Sequence, residues 1–144
     1  MEKILLIEDN GALVRDLTNG IKQLKPEIVI ERAYSYISAI EKYIYKGDFA
    51  CIILDLNIDP DGLEVEKVNQ YCPLYGMAFL DKICNGKESE EVKLILDKTI
   101  IYSGYIDELK NRQIEFNWDL NLLELVPKNT RSINKLLTII KKLL

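Results

Sequence analysis

Polar side chains that could do chemistry follow short apolar runs at four places in the sequence. Carboxylates follow two of the runs, a hydroxyl ends a third, and an ammonium group lies just beyond a fourth. A carboxylate beside buried apolar residues costs free energy unless it is paired or coordinated, so these positions predict a site. The runs are 3–7, 50–54, 99–103 and 122–126, and the polar residues are Glu8, Asp9, Asp55, Ser103 and Lys128.

The apolar runs have the composition of strands that are buried on both faces of a sheet, because Ile and Leu follow one another with little polar alternation. A fifth run of this kind lies between the first two. The sequence therefore predicts strands over KILLI (3–7), EIVIE (27–31), ACIIL (50–54), TIIYS (99–103) and LLELV (122–126).

Segments with apolar residues at helical spacing separate these runs. Leu13, Leu17 and Ile21 form one such stripe, and similar stripes lie within 37–44 and 133–144. Polar residues that can cap a helix stand before each stripe, because their side chains can accept hydrogen bonds from the first free backbone N–H groups. The candidate caps are Asn10, Ser35 and either Asn129 or Thr130.

Buried strands that alternate with amphipathic helices predict an α/β fold with a five-stranded parallel sheet. Helices on both faces make this a doubly wound (βα)5 three-layer sandwich of the flavodoxin-like type, and we expect one domain over residues 1–144. In such sheets ligands lie outside the carboxyl ends of the strands. The polar residues that follow the strands are therefore expected to converge at one edge of the sheet.

The converging carboxylates of Glu8, Asp9 and Asp55 would repel one another unless a hard cation lay among them. Mg²⁺ suits this position, because it takes oxygen ligands and commonly completes its shell with water and phosphate oxygens. A phosphoryl group is then the expected guest, with Ser103 and Lys128 nearby.

The order of these motifs resembles that of response-regulator receiver domains over essentially the whole chain. The resemblance implies that Asp55 accepts a phosphoryl group from a phosphohistidine on a histidine kinase or phosphotransfer protein. It also implies that Glu8 and Asp9 bind Mg²⁺ together with Asp55 and the backbone carbonyl of Asn57. Side chains at two further positions, Ser103 and Lys128, would contact the phosphoryl oxygens.

Some features depart from the pattern of that family. Leu125 stands where an aromatic residue commonly responds to phosphorylation, and Pro127 precedes Lys128 where the family usually has a proline after the lysine. The segment after the third strand is also longer than usual. We expect 58–74 to be an enlarged loop, with the third helix beginning at 75.

Two other kinds of site compete for Asp55. An EF-hand calcium loop fits the acidic and amide residues of 55–66, but Pro60 occupies the position that needs glycine, and no helix is predicted before the loop. A phosphohydrolase of the haloacid dehalogenase type needs a second aspartate two residues further on. Asn57 occupies that position and cannot donate a proton as an acid.

Composition excludes several other functions. A net charge of −4 gives no basic surface, so no direct nucleic-acid partner is expected. No apolar run is long enough for membrane insertion and the start of the chain has no cleavable leader, which predicts a cytoplasmic protein. The sequence has no histidine, so any chemistry must use carboxylates, hydroxyls and lysines.

These observations predict a stand-alone receiver rather than an enzyme, with at most slow removal of its own phosphoryl group. The chain ends with the last predicted helix, so output is expected through contact with a downstream protein whose identity the sequence does not indicate. The alternative, which Leu125 and segment 58–74 leave open, is a receiver-like interaction module that works without phosphorylation.

Overall fold

Five parallel strands form the centre of the computed structural model, which describes residues 2–116, 118–129 and 131–144. The order β2-β1-β3-β4-β5 confirms the predicted doubly wound α/β fold. The register places Ile7 of β1 beside Leu54 of β3, and Ser103 of β4 beside Pro127 of β5, so the carboxyl ends meet at one edge. The strands are β1 (Lys3–Ile7), β2 (Val29–Ala33), β3 (Cys51–Leu54), β4 (Thr99–Ser103) and β5 (Glu124–Pro127).

Helices connect successive strands, and side chains fix where several of them begin. Asn10 Oδ1 accepts hydrogen bonds from the backbone N–H of Ala12 and Leu13, and Ser35 forms a capping box with Ser38, which confirms both predicted caps. Ahead of the last helix, the prediction of Asn129 as the cap is wrong, because the N-cap position is Arg131 and no side chain caps the helix there. Asn129 Oδ1 instead accepts from the Arg131 N–H, and Thr130 lies outside the described residues.

The described part of the chain contains eight α-helices and one short 3₁₀ helix at Leu120–Leu122. None of them is long and apolar enough to cross a membrane. The helices are α1 (Gly11–Leu24), α2 (Tyr36–Lys46), α3 (Val65–Tyr71), α4 (Tyr75–Cys84), α5 (Ser89–Asp97), α6 (Ile106–Asn111), α7 (Gln113–Phe116) and α8 (Ser132–Leu143).

The two faces of the sheet bury two separate apolar clusters, because successive side chains of a strand point to opposite faces. Leu5 and Ile7 of β1 pack with α2 and α4 on one face. Ile4 and Leu6 pack with α1 and α8 on the other. The helices therefore form an outer layer on each side of the sheet, and the carboxyl edge stays free for a site.

The edge strands differ from their predictions. β2 begins at Val29 instead of 27, β5 is Glu124–Pro127 instead of 122–126, and both are only partly buried, so the expectation of burial on both faces is wrong for them. An edge strand has one neighbour and one open side, so its limits follow the register with that neighbour.

Segment 58–74 is not a loop throughout, because residues 65–71 form helix α3. The helix expected at 75 does begin there, as α4. The start of the segment pairs with α2, since the Tyr36 N–H donates to the Asp59 carbonyl at 2.8 Å and the Ile37 N–H to the Asp61 carbonyl at 3.0 Å.

Gly76 lets the first turn of α4 approach the end of β3. Its N–H donates to the Leu56 carbonyl at 2.8 Å, and a Cβ at this position would lie 2.3 Å from the carbonyl oxygen of Asp55. Backbone atoms cannot yield as a flexible side chain does. A glycine is therefore required here for α4 to pack beside Asp55.

We expect Gly76→Ala to destabilise the chain by about 1–3 kcal/mol, because the added methyl group forces α4 away from β3. Urea denaturation would measure the change as a lower midpoint at equal slope. Gly11→Ala is the matched control, since a Cβ there meets nothing within 4 Å, and it should not lower the midpoint. Equal midpoints for the two variants would contradict the predicted clash.

Candidate functional site

The sheet brings the predicted residues to one edge, because hydrogen bonds fix the backbone immediately after β1 and β3. The Glu8 N–H donates to the Ala33 carbonyl at 2.9 Å, which extends the pairing of β1 with β2. The Asp55 N–H donates to the Ile7 carbonyl at 3.0 Å, which extends the pairing of β3 with β1. The two carboxylates therefore start from neighbouring, fixed positions.

Three carboxylates lie close together at this edge. Glu8, Asp9 and Asp55 each offer an oxygen within 4.8 Å of those of the other two. Glu8 is 2% exposed and Asp55 is 7% exposed, whereas Asp9 is open to solvent. A hard divalent cation fits this donor set, because all three ligands are carboxylate oxygens and one side of the cluster faces water.

Lys128 supplies the positive charge within the cluster. Its Nζ donates to Glu8 Oε1 at 2.9 Å, to Glu8 Oε2 at 3.1 Å and to Asp55 Oδ2 at 2.9 Å. Its backbone N–H donates to the Ser103 carbonyl at 3.1 Å, which anchors the residue just beyond β5. All three N–H donors of the ammonium group are therefore hydrogen-bonded to carboxylate oxygens.

Ser103 lies beneath the same site and is fully buried. Its Oγ accepts a hydrogen bond from the Tyr105 N–H at 3.1 Å and a longer one from the Leu56 N–H at 3.4 Å. The Leu56 N–H also donates to Asp55 Oδ1 at 2.7 Å. One backbone N–H thus connects the Ser103 hydroxyl with the Asp55 carboxylate.

The environment shifts the acid–base properties of two members of the cluster. Burial and the neighbouring Asp55 carboxyl raise the pKa of Glu8 to about 8, although the Lys128 ammonium acts in the opposite direction. Burial alone would lower the pKa of Lys128, but its contacts with Asp55 and Glu8 outweigh burial and raise that pKa. The lysine therefore stays charged at neutral pH.

A buried pair of hydroxyl groups, which no sequence pattern predicts, supports the backbone next to Lys128. The hydroxyls of Tyr102 and Ser132 lie 3.0 Å apart, and Ser132 Oγ bonds both the N–H and the carbonyl of Asn129 at 3.0 and 2.9 Å. Lys128 Nζ also lies 5.9 Å from the centre of the Tyr102 ring. These partners are about 30 residues apart, so no local pattern links them.

A second unpredicted contact lies at the mouth of the site. Asn57 Nδ2 donates to the Tyr105 hydroxyl at 3.2 Å, so the side chain of Asn57 faces the segment that follows Ser103. Its backbone carbonyl remains a predicted metal ligand. The EF-hand alternative is excluded by the fold, because the strand β3 precedes Asp55 where an EF-hand requires a helix.

Comparison with known proteins identifies the fold. No protein-family model matches the chain, and no curated protein matches it at a significant level. Solved structures match over nearly the whole length. The signal receiver domain of a DNA-binding response regulator from Colwellia psychrerythraea 34H has a TM-score of 0.65 at 20% identity, over 99% of this chain and 98% of that chain.

Two further structures are similar to the same degree. A CheY-like receiver domain protein from Methanospirillum hungatei JF-1 has a TM-score of 0.63 at 19% identity, over 99% of this chain and 94% of that one. The phosphorylated cyanobacterial phytochrome response regulator RcpA has a TM-score of 0.64 at 21% identity, over 98% of this chain and 89% of that one. The chain therefore has the fold of response-regulator receiver domains.

The raised pKa of Glu8 predicts a specific pH dependence of stability. The folded state keeps the Glu8 proton more readily than the unfolded chain, so the parent chain should lose stability as the pH rises from about 4.5 to about 8. Glu8→Gln removes this titration. We therefore expect the free energy of unfolding of the variant, minus that of the parent chain, to increase as the pH rises across the same range.

Urea denaturation at a series of pH values, in buffer with a chelator, would measure this difference. Glu41→Gln, at an exposed position of α2, controls for the loss of a surface carboxylate. A difference between Glu8→Gln and the parent chain that stays constant with pH, or moves the other way, would show that Glu8 is ionised throughout the range.

Proposed function

We propose that the chain is a signalling domain that accepts a phosphoryl group on Asp55 in a Mg²⁺-dependent step. One observation carries the proposal: the Asp55 carboxylate lies 2.9 Å from Lys128 Nζ, within reach of two further carboxylates, at the carboxyl edge of a receiver-type sheet. The expected donor is a phosphohistidine on a histidine kinase or phosphotransfer protein.

In this reaction an oxygen of Asp55 attacks the phosphorus atom of the donor. The new O–P bond forms as the P–N bond to the donor imidazole breaks, and the leaving nitrogen keeps the electron pair and takes a proton. Phosphoryl transfer needs positioning and charge stabilisation more than covalent assistance. The hydrogen bond from the Asp55 N–H to the Ile7 carbonyl and the one from the Leu56 N–H to Asp55 Oδ1 supply the positioning.

Positive charge at the site can offset the negative charge of the transferred phosphoryl group. Lys128 can move its donors from the carboxylates to the incoming phosphoryl oxygens, because its ammonium group rotates freely on a flexible stem. Glu8, Asp9, Asp55 and the Asn57 carbonyl would hold Mg²⁺. A bound Mg²⁺ would supply further positive charge beside the phosphoryl oxygens.

The Ser103 hydroxyl connects the site to the segment that would transmit the signal. Ser103 Oγ now accepts from the Tyr105 N–H, at the start of α6. A phosphoryl oxygen on Asp55 would offer this hydroxyl a charged acceptor, and a shift of the hydroxyl would carry the start of α6 with it. The output would be altered binding of a downstream protein.

A dedicated phosphohydrolase is disfavoured by the residue beside Asp55. Such an enzyme needs an acid two residues beyond its nucleophile, whereas Asn57 carries an amide that already donates to Tyr105. We therefore propose at most slow loss of the phosphoryl group and no turnover of phosphate esters. Sustained phosphate release from an ester substrate would contradict this part of the proposal.

Acetyl phosphate with Mg²⁺ should add one phosphoryl group to the chain, seen as a single mass increase of the intact protein. Asp55→Asn should abolish the increase, because the amide is not a nucleophile for phosphorus. Asp61→Asn, at an exposed position of the following segment, is the control and should be labelled like the parent chain.

Labelling of Asp55→Asn equal to that of the parent chain would place the acceptor elsewhere. An unlabelled parent chain at every Mg²⁺ concentration would instead favour a receiver-like interaction module that works without phosphorylation. Leu125, which replaces the aromatic residue common in that family, is the feature that makes this second function worth testing.

Asp9→Asn should raise the Mg²⁺ concentration for half-maximal labelling by roughly tenfold or more, because it removes one oxygen ligand of the proposed ion. Asp9 is exposed, so the substitution should leave the fold intact. Asp16→Asn, at an exposed position of α1, is the matched control. An unchanged Mg²⁺ dependence in Asp9→Asn would exclude Asp9 as a ligand.

A further inference from the structure

A second concave region lies between α2, segment 58–74 and α4. Its volume is about 460 Å³. Small-molecule sites commonly have volumes of roughly 300–1,000 Å³, so this cavity is large enough for a ligand. Ile37, Ile40, Leu63 and Ala78 give it an apolar surface. None of the three carboxylates of the candidate functional site lines it.

One wall of the cavity is fixed by close packing of segment 58–74 on α2. Gly62 has a positive φ of 89°, and a Cβ at this position would lie 2.5 Å from Ile37 Cβ. The adjacent hydrogen bond from the Ile37 N–H to the Asp61 carbonyl, at 3.0 Å, holds the same contact. The segment therefore meets α2 at van der Waals distance.

The opposite end of the segment is fixed by Arg112, which follows α6. Its guanidinium group donates to the carbonyls of Gln70 at 2.7 Å and Cys72 at 2.8 Å, at the end of α3. It is also paired with Glu115 at 2.9 Å and lies 4.5 Å from the centre of the Phe116 ring. Both ends of segment 58–74 are thus held, and the cavity is preformed.

Polar groups with no protein partner face this cavity. Tyr36 as a whole residue is 8% exposed, and its hydroxyl makes no hydrogen bond within the described residues but is open to solvent, because the buried side-chain atom without a partner in that part of the chain is Trp118 Nε1. Glu64, Lys67 and Lys82 are exposed residues at the rim of the cavity, and within the described ranges none of them forms an ion pair. Asp81 also lines the cavity, but it does have a partner, because the Tyr71 hydroxyl donates a hydrogen bond to its carboxylate.

The charges of the lining select the kind of ligand. Two ammonium groups, of Lys67 and Lys82, stand with two carboxylates, of Glu64 and Asp81. A simple anion would be repelled by the carboxylates, and a simple cation would be repelled by the lysines. A molecule that carries both charges can be paired at both ends, while the apolar surface accepts an uncharged side group.

We propose that this cavity binds a small zwitterion with an apolar side group, which is the chemistry of a hydrophobic amino acid. Lys82 pairs with the ligand carboxylate. Glu64 and the Tyr36 hydroxyl accept hydrogen bonds from its ammonium group, and the side group lies against Ile40 and Leu63. The site is separate from the proposed phosphoacceptor site and does not depend on it.

Titration of the full chain with L-phenylalanine, followed by amide NMR, tests the proposal. Saturable shifts are expected for residues 36–40, 62–71 and 78–85, with Asp55 and Lys128 unaffected. Phenylpropionate lacks the ammonium group and phenethylamine lacks the carboxylate, so each should bind about tenfold more weakly. Equal binding of either analogue, shifts centred elsewhere, or no saturation would overturn the proposal.

Charge-removing variants test the assigned contacts. Lys82→Gln and Glu64→Gln should each weaken phenylalanine binding about fivefold, as expected for a partly exposed charge pair. Lys93→Gln and Glu90→Gln remove the same charges from exposed positions of α5 and should leave binding unchanged. Tyr36→Phe, which keeps the ring, should also weaken binding. Unchanged binding in the cavity variants, or equal loss in the controls, would overturn the assignment.

Discussion

The contact of one ammonium group with two buried carboxylates is the interaction on which the rest of the site depends. Lys128 Nζ lies about hydrogen-bond distance from both Glu8 and Asp55, and the two acids are almost entirely removed from solvent. Two ionised carboxylates this close would repel each other in a medium that screens poorly, which together with burial raises the pKa of Glu8 and makes a cation between the two acids favourable. That cation is Lys128, which lies 120 positions after Glu8 in the sequence. Asp9 remains exposed to water, where a second cation can approach.

Strand order explains why a lysine occupies this position. Asp55 follows the central strand β3, whereas Lys128 follows β5, with β4 between them. Neighbouring strands lie about 4.8 Å apart, so the two backbones are separated by roughly twice that distance. A long, flexible side chain can span the gap above Ser103, and the ammonium group at its tip can exchange one oxygen partner for another.

Much of this arrangement could be predicted from the sequence, because it depends on local signals and on the geometry of parallel sheets. The apolar runs located the strands, Asn10 and Ser35 located two helix starts, and the carboxyl-edge rule brought Glu8 and Asp55 together. The limits of β2 and β5 depend on pairing with a single neighbour, which no local pattern specifies. Helix α3 has only seven residues, so packing rather than intrinsic propensity stabilises it, and the contacts of Arg112 that hold its end join residues some 40 positions apart.

The two attachments of segment 58–74 also determine how this part of the molecule can open. Its first residues are bonded to the backbone of α2, and its last residues are bonded to Arg112 beyond α6. The chain between these points is a closed loop, so release of either end would free the residues between them. The segment is therefore joined to α2 and to Arg112 at the same time, and we expect local unfolding of the segment to disturb both of these neighbours.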